Sequence, residues 1–263
     1  MIKREFKVNF KSFIIWTSIL LIMFLIVFLV YPYIITDDTV KSLDEMMKVF
    51  PHELLKAFNM DITSINTAYG WLKSEGFMFV LIIVGLYSSI LGSHIVLKEE
   101  NDKTIEYIHS LPIKRSKIMT NKIIVGIIYI VLMTLILGIF NYIFLIFSGD
   151  FNHKEYLLLS ITPIIVGIPL FALNLFISTF RHKTKKTIGV CLGLVFIFYL
   201  INTLSELSTN IEFLKYFSIY TLAGIRNIIT TVSINYTNII LSIVITVLFI
   251  ILSYIRYNKK ELL

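Results

Sequence analysis

The sequence predicts an all-α membrane protein with six transmembrane helices, both termini on the cytoplasmic side, and short amphipathic helices at both membrane faces. Three observations support this fold class: 57% of the 263 residues are hydrophobic, only 16% are charged, and the apolar residues form long runs. A soluble domain has roughly 45–50% apolar and 25% charged residues. The chain therefore has more apolar side chains than one soluble core can bury, which excludes an ordinary soluble enzyme and a disordered chain.

Six apolar runs are long enough to cross a bilayer, whose core of about 30 Å requires roughly 20 helical residues. We place the six spans, all free of Asp, Glu, Lys and Arg, at about 13–35, 76–97, 123–147, 156–180, 187–204 and 239–255. Between them lie an outer loop at 36–75, a charged connection at 98–122 and a partly polar outer segment at 205–238. We treat residues 1–263 as a single transmembrane domain.

The placement of charged residues orients the spans. Seventeen of the 24 Lys and Arg residues, but only six of the 17 Asp and Glu residues, lie in the N-terminus, the connections 98–122 and 181–186, and the C-terminal tail. Cytoplasmic loops carry an excess of Lys and Arg, so these segments are predicted to lie in the cytoplasm. The net charge of +7 then divides into +11 inside and −4 outside. Anionic lipid headgroups account for the inner excess, which leaves nucleic-acid binding without support.

No nucleotide or metal site is recognisable in the sequence. A P-loop requires Gly-x-x-x-x-Gly-Lys-Ser/Thr, and none of the eleven glycines precedes a lysine. No two Cys or His residues have the spacing of zinc ligands. The middle of the spans also holds no Asp, Glu, Lys or Arg, and buried ionisable residues are the usual mark of proton-coupled transporters. Asn141, Asn174 and Asn202 lie within or near spans, and we favour interhelical hydrogen bonds over ligand binding for them. We therefore expect no bound cofactor, no metal and no catalytic residue.

The connection at 98–122 has the most informative pattern. It begins with residues suited to a helix N-cap, among them Asp102. The apolar residues that follow recur every three positions: Ile105, Ile108 and Leu111. This spacing predicts an amphipathic helix of about two turns, which Pro112 ends. Four acidic residues lie here too, and anionic headgroups would repel them. The segment is therefore either a loop at the headgroups or a docking site for another protein.

This segment resembles the ABC-2-type permeases, which are the membrane subunits of ATP-binding cassette exporters. The shared pattern is Glu-x-x-x-x-Thr-Ile-Glu-x-x-x-Ser-Leu-Pro-x-x-Arg after the second of six spans. The matching residues are Glu99 or Glu100, Thr104, Ile105, Glu106, Ser110, Leu111, Pro112 and Arg115. The outer segment 50–58 is also similar to the family's first outer loop. One departure is Lys103, where the family often has glycine, so that the backbone turn can differ there.

The resemblance implies a role for the segment and a set of partners. In such permeases it is the coupling helix, seated in a groove of a separate ATPase subunit that binds ATP and Mg²⁺. The predicted coupling residues are Glu99, Glu100, Thr104, Ile105, Glu106, Ile108, Leu111, Pro112 and Arg115. Ile105, Ile108 and Leu111 are expected to pack, while Glu106 and Arg115 set the charge register. The chain would act as one half of a homo- or heterodimer in the cell membrane, exporting a hydrophobic or amphipathic substrate without enzyme activity of its own.

Small residues recur on two of the spans. Gly85, Ser89 and Ser93 are spaced by four residues on the second span, and Gly189 and Gly193 form Gly-x-x-x-Gly on the fifth. Small residues allow helix backbones to approach closely. In the family, spans one, two and five flank the dimer axis, so we place span five at or near a dimer interface. Packing within one subunit is equally compatible with the Gly-x-x-x-Gly pattern alone.

Amphipathic segments are predicted at both membrane faces. Residues 1–12 carry aromatic and cationic residues at the spacing of an interfacial helix. The outer loop has two further stretches of helical spacing, one of them beginning near Pro51, which suits a first helical turn. The segment 205–238 resembles the family's re-entrant outer hairpin. Such a backbone is tolerated at membrane depth only where protein or a water cavity covers it.

Two other functions are compatible with a membrane protein of this composition. Glu99-Glu100 raises the possibility of an intramembrane protease of the Glu-Glu-x-x-x-Arg type. The arginine of that motif is missing, and no paired histidines lie in the spans. The other alternative is a non-catalytic membrane anchor or immunity protein. Copurification with a P-loop ATPase subunit would favour the permease, and peptide cleavage by the purified chain would favour the protease.

Overall fold

The computed structural model describes residues 1–34, 41–42, 45, 49, 67–105, 112–207 and 209–260. Across these ranges the chain is helical and has no strand, and six helices are long and apolar enough to cross a membrane, which confirms the predicted all-α fold with six membrane-spanning helices. They are α1 (Ile2–Ile34), α2 (Ala68–Asn101), α3 (Arg115–Ser148), α4 (His153–Ser178), α5 (Thr184–Leu207) and α6 (Tyr236–Lys259). Most of the predicted outer loop, including both of its predicted helices, lies outside the described residues.

The first three helices extend well beyond their predicted spans. With 33 or 34 residues each, α1, α2 and α3 are about 50 Å long, against a bilayer core of about 30 Å. Residues 2–12, predicted as an interfacial helix, are the first turns of α1 and continue into the first span without a break. The described part of α2 begins at Ala68, with one π-helical stretch at Leu72–Gly76. The additional turns at the ends of these helices carry charged residues.

Helices α2 and α4 form the centre of the bundle and pack most extensively on each other. Their backbones meet at Gly92, where an added Cβ would lie 2.5 Å from the Phe171 carbonyl oxygen. A glycine is needed here because any side chain would separate the two helices. Around this pair, α3 packs on α1 and α4, α5 packs on α2, and α6 packs on α4. One polar contact in the last interface is the Ser242 hydroxyl, which donates to the Ile165 carbonyl at 2.7 Å.

Helix α4 continues through two prolines, Pro163 and Pro169. Proline has no N–H to donate to the carbonyl four residues earlier. For Pro163 this carbonyl is that of Leu159, and the Thr162 hydroxyl donates to it at 2.7 Å. The side chain of one residue thus satisfies the acceptor that its neighbour leaves free.

The segment between α5 and α6 forms a hairpin of short helices, at Thr209–Phe217, Tyr220–Ala223 and Ile225–Thr231. We call residues 209–231 the outer hairpin. The Ser218 hydroxyl donates to the Phe198 carbonyl at 2.6 Å, and the Tyr220 ring is buried between the hairpin and the bundle. Protein therefore covers part of this hairpin, as a re-entrant segment requires.

Four charged regions meet at one end of the bundle, which we call the charged end. Lys98 at the end of α2 pairs with Glu5 of α1. Arg115 at the start of α3 donates to the Asn258 carbonyl of α6. The N-terminus, the connection 98–122 and the end of α6 therefore lie together, and the link between α4 and α5 joins them through the Arg181 carbonyl.

Candidate functional site at the charged end

Four buried charged side chains form the core of this site, and we call them the inner charge cluster: Glu5, Lys98, Glu99 and Lys122. Lys98 Nζ donates to Glu5 Oε2 at 2.6 Å. Lys122 Nζ donates to both carboxylate oxygens of Glu99, at 2.6 and 2.7 Å, and lies 3.6 Å from Glu5 Oε2. Two acids and two bases give a net charge of zero, which is the condition under which buried charges can be tolerated.

Further contacts fix the cluster in place. Lys122 Nζ also donates to the Ile95 carbonyl of α2 at 2.6 Å. Half-exposed Arg4 lies at the rim, 3.6 Å from both Glu5 and Glu99. At the next residue of α1, the Phe6 carbonyl accepts a hydrogen bond from the Tyr129 hydroxyl at 2.6 Å. The start of α1 is thus joined by buried polar contacts to α2 and to α3.

The pairing of Glu99 with Lys122 has a consequence for the connection between α2 and α3. Glu99 lies at the start of residues 98–122 and Lys122 at their end. Their ion pair joins the two ends of the connection through atoms that are shielded from water. The described residues between them, 100–105 and 112–121, are therefore held between two helices that a buried ion pair joins.

The connection begins with a well-defined helix C-cap. Lys103 has a φ of 55°, in the left-handed region that favours glycine. The Thr104 N–H donates to the Glu99 carbonyl at 2.9 Å and the Lys103 N–H to the Glu100 carbonyl at 3.3 Å. These two hydrogen bonds form a Schellman motif. The lysine thus adopts a conformation that favours glycine, and the chain then turns so that Ile105 is buried.

A second group of contacts, which we call the C-terminal clamp, surrounds Glu100. Its carboxylate pairs with Lys260 through Oε1 and contacts His182 Nδ1 through Oε2 at 3.0 Å. Lys260 Nζ also donates to the Arg181 carbonyl at 2.6 Å. Arg115 Nη1 in turn donates to the Lys260 carbonyl at 3.0 Å. Burial lowers the pKa of the Lys260 ammonium, and the hydrogen bond and charge of Glu100 oppose that shift.

Comparison with known protein families gives a match for the chain. It matches the family described as ABC-2 family transporter protein over residues 1–262. The chain belongs to this family. No curated protein and no solved structure matches it. The ABC-2 protein is therefore a multi-pass membrane protein and a permease subunit of an ATP-binding cassette transporter, and membership implies an ATP-binding cassette ATPase as its partner.

The permease structure brings several of the predicted coupling residues together. Glu99 and Glu100 lie in the inner charge cluster and the C-terminal clamp, respectively, so each carboxylate is engaged by a lysine. Thr104 and Ile105 form the turn that follows them. At the other end of the segment, Pro112 is exposed and Arg115 binds the end of α6. Glu106, Ile108 and Leu111 lie outside the described residues, so their packing and charge roles stay predictions.

The small residues of α2 are used inside the subunit. An added Cβ on Gly85 would lie 2.1 Å from the Tyr220 hydroxyl of the outer hairpin. Ser89 accepts a hydrogen bond at 2.8 Å from the Asn174 side chain of α4, which confirms the interhelical role expected for that asparagine. Ser93 is fully buried as well. This stripe is therefore buried within one subunit, and Gly85 and Ser89 pack against α4 and the hairpin.

The two glycines of α5, unlike the small residues of α2, have open space around them. A Cβ added to Gly189 or Gly193 would have no atom within 4 Å. The buried residues of this helix include Cys191 and Val195. Residues two positions apart on an α-helix point about 200° away from each other. The Gly-x-x-x-Gly pattern of α5 therefore lies on the face that points away from the subunit's own core.

The remaining two asparagines lie toward the end of the bundle opposite the charged end. Asn202 Oδ1 accepts a hydrogen bond from the Thr221 hydroxyl of the outer hairpin at 3.0 Å, so it joins α5 to the hairpin. Asn141 Oδ1 is buried and has no hydrogen-bond partner among the described residues. The expected interhelical contact is thus observed for Asn174, takes the form of a helix–hairpin contact for Asn202, and is not seen for the Asn141 oxygen.

Sequence reasoning missed four residues of this site: Glu5, Lys98, Lys122 and Lys260. Glu5 is the single acid among the four basic residues of segment 1–12, and both Lys98 and Lys122 directly border predicted spans. A lone acid in a basic segment is a signal for pairing. The lysines gave a weaker signal, because lysines at span ends ordinarily contact lipid headgroups.

Proposed function

We propose that the permease exports a hydrophobic or amphipathic substrate by using ATP that a separate ATPase subunit hydrolyses while docked on residues 98–117. The observation that carries this proposal is the closed base of the connection 98–122, where Glu99 and Lys122 join the two ends. A connection held in this way moves together with α2 and α3. Force that a docked subunit applies to it would therefore reach the membrane spans.

The proposed orientation places the charged end in the cytoplasm, where ATP is found. The excess of Lys and Arg in the segments that meet there supports this orientation. Exposed cations of this end, such as Lys114, Lys117 and Lys185, suit the anionic headgroups of the inner leaflet. Both termini are then cytoplasmic and the outer hairpin faces outward. The cell membrane is the proposed location.

We further propose that two permease subunits, identical or different, associate along α5. The outward-facing Gly189 and Gly193 support this placement, because the described part of the subunit leaves the space around them open. Many neighbouring residues of α5 are apolar and exposed, including Phe196 and Leu200. A face with small residues and apolar surroundings suits close helix packing in a membrane.

The substrate class follows from the chemistry of the spans. Their central parts contain no Asp, Glu, Lys or Arg, so a path between them would favour apolar or amphipathic molecules. ATP and Mg²⁺ are assigned to the partner ATPase, since the sequence contains no P-loop.

Coexpression with the partner ATPase tests the proposal. We expect the wild-type permease to copurify with the ATPase and to change its rate of ATP hydrolysis, and the Walker lysine variant of the ATPase to lose hydrolysis. Leu111→Asp should reduce copurification or remove the rate change while the permease still inserts into the membrane. Tyr216→Asp is the matched control, because Tyr216 is an exposed bulky residue of the outer hairpin. An ATPase that binds and responds to Leu111→Asp as it does to wild type would refute the assignment.

A further inference from the structure

We infer that the C-terminal clamp positions the coupling segment for the ATPase, with Lys260 as its central positioning residue. This inference deepens the proposed function and rests on it, since it assumes that the ATPase acts on residues 98–117. It assigns a role to the end of α6, a helix that neither contributes to the connection nor borders it in sequence.

Lys260 contacts the connection 98–122 near both of its ends. Its side chain pairs with Glu100, which lies just before the turn at Lys103. Its main-chain carbonyl accepts a hydrogen bond from Arg115, the first residue of α3. One residue of α6 therefore holds the segment at the point where it leaves α2 and again at the point where it enters α3.

The contacts of Arg115 suit the chemistry of a helix end. Carbonyls in the last turn of a helix lack partners within the helix and carry partial negative charge. Arg115 binds two such carbonyls of α6, those of Asn258 and Lys260, at 3.3 and 3.0 Å. A guanidinium with several donors in a fixed plane suits this arrangement. The start of α3 is thus held to the end of α6 by a directional charged contact.

The same lysine also reaches the link between α4 and α5. Lys260 Nζ donates to the Arg181 carbonyl, and His182 contacts the second oxygen of Glu100. The side chains of Lys260 and Glu100 are both only 3% exposed, so water does not compete at this point. A displacement of the coupling segment would therefore be passed on to α6 and, through residues 181–182, to the start of α5.

The inner charge cluster and the C-terminal clamp then have different roles. The cluster joins the segment to α1, α2 and α3. The clamp joins it to α6 and to the link that enters α5. With the clamp broken, an ATPase would still find its docking segment, but the motion would not reach the two helices at the periphery of the bundle.

The test uses the full-length permease in complex with its ATPase and compares Lys260→Met and Glu100→Gln with wild type. We expect both variants to copurify with the ATPase, while the change in ATP hydrolysis that the permease causes falls on the order of tenfold, a coupling loss of ordinary size. Lys260→Arg, which keeps the charge, should retain most of the effect. Lys259→Met is the matched control, because Lys259 is the exposed neighbour on the same helix, and it should behave as wild type.

The exchanged pair Glu100→Lys/Lys260→Glu separates a positioning role from a general loss of folding. We expect it to restore a clear part of the hydrolysis response that each single change removes. A full response in Lys260→Met, or no recovery in the exchanged pair, would overturn the clamp and leave the proposed function intact. A wild-type permease that neither binds the ATPase nor alters its rate would overturn the proposed function and this inference with it.

Discussion

Lys122→Met is the sharpest test of the inner charge cluster. Lys122 is 1% exposed and donates at 2.6–2.7 Å to three oxygens, two of Glu99 and one of Ile95. Methionine fills a similar volume but has no charge, so the cluster changes from neutral to a net charge of −1. Removing one partner of a buried ion pair costs about 3–5 kcal/mol. For a chain of this length, that loss corresponds to a fall in melting temperature on the order of 10 °C.

The measurement is thermal unfolding in detergent micelles, followed by tryptophan fluorescence. Lys117→Met is the matched control, because this lysine is exposed on the same helix, and its effect should stay within about 0.5 kcal/mol. The double variant Lys122→Met/Glu99→Met leaves the neutral pair of Glu5 and Lys98, so it should be more stable than Lys122→Met alone. The reasoning is refuted if Lys122→Met melts as wild type does, or if the double variant loses the sum of the two single losses.

Three further predictions concern the turn after α2, the α5 face and the outer hairpin. Lys103→Gly should stabilise the permease in thermal unfolding by up to about 1 kcal/mol, because a left-handed lysine is strained; a lower melting temperature would contradict the Schellman turn. In a Cys191→Ser background, Gly193→Cys should form a disulfide-linked dimer in membranes, and failure to crosslink under any oxidant would count against the α5 interface. Gly85→Ala should lower the melting temperature because its Cβ would lie 2.1 Å from the Tyr220 hydroxyl. Adding Tyr220→Phe removes that hydroxyl and should recover part of the loss. Equal melting temperatures of Gly85→Ala and Gly85→Ala/Tyr220→Phe would argue against this contact.

The six-helix architecture could be predicted because the bilayer acts on local composition. A run of about 20 apolar residues indicates a membrane span, whatever the helix packs against. Helix lengths were harder to predict, since α1 to α3 continue into charged sequence beyond the bilayer core. There the helix is supported by tertiary contacts such as that of Lys98 with Glu5, which are 93 residues apart. No local pattern encodes such a pairing.

Local sequence patterns also determined which parts of the site could be predicted. The coupling segment was recognised from a contiguous pattern that includes Thr104, Pro112 and Arg115. Lys260 was not, because its role depends on where the end of α6 lies relative to Glu100. The small residues of α2 and α5 could be recognised in the sequence, but their partners could not. Both sets suggest close helix packing, and only the fold shows that Gly85 packs within the subunit while Gly193 faces away from it.

Photo-crosslinking at Pro112 can locate the contact between the permease and its ATPase. A benzoylphenylalanine at this exposed position lies in the coupling segment, and the same group at exposed Tyr216 lies in the outer hairpin. With the ATPase coexpressed, our account predicts a crosslinked product of permease and ATPase from position 112 and none from position 216. A permease that crosslinks its ATPase from position 216, or not at all from position 112, would contradict the assignment of residues 98–117 as the place where energy enters the protein.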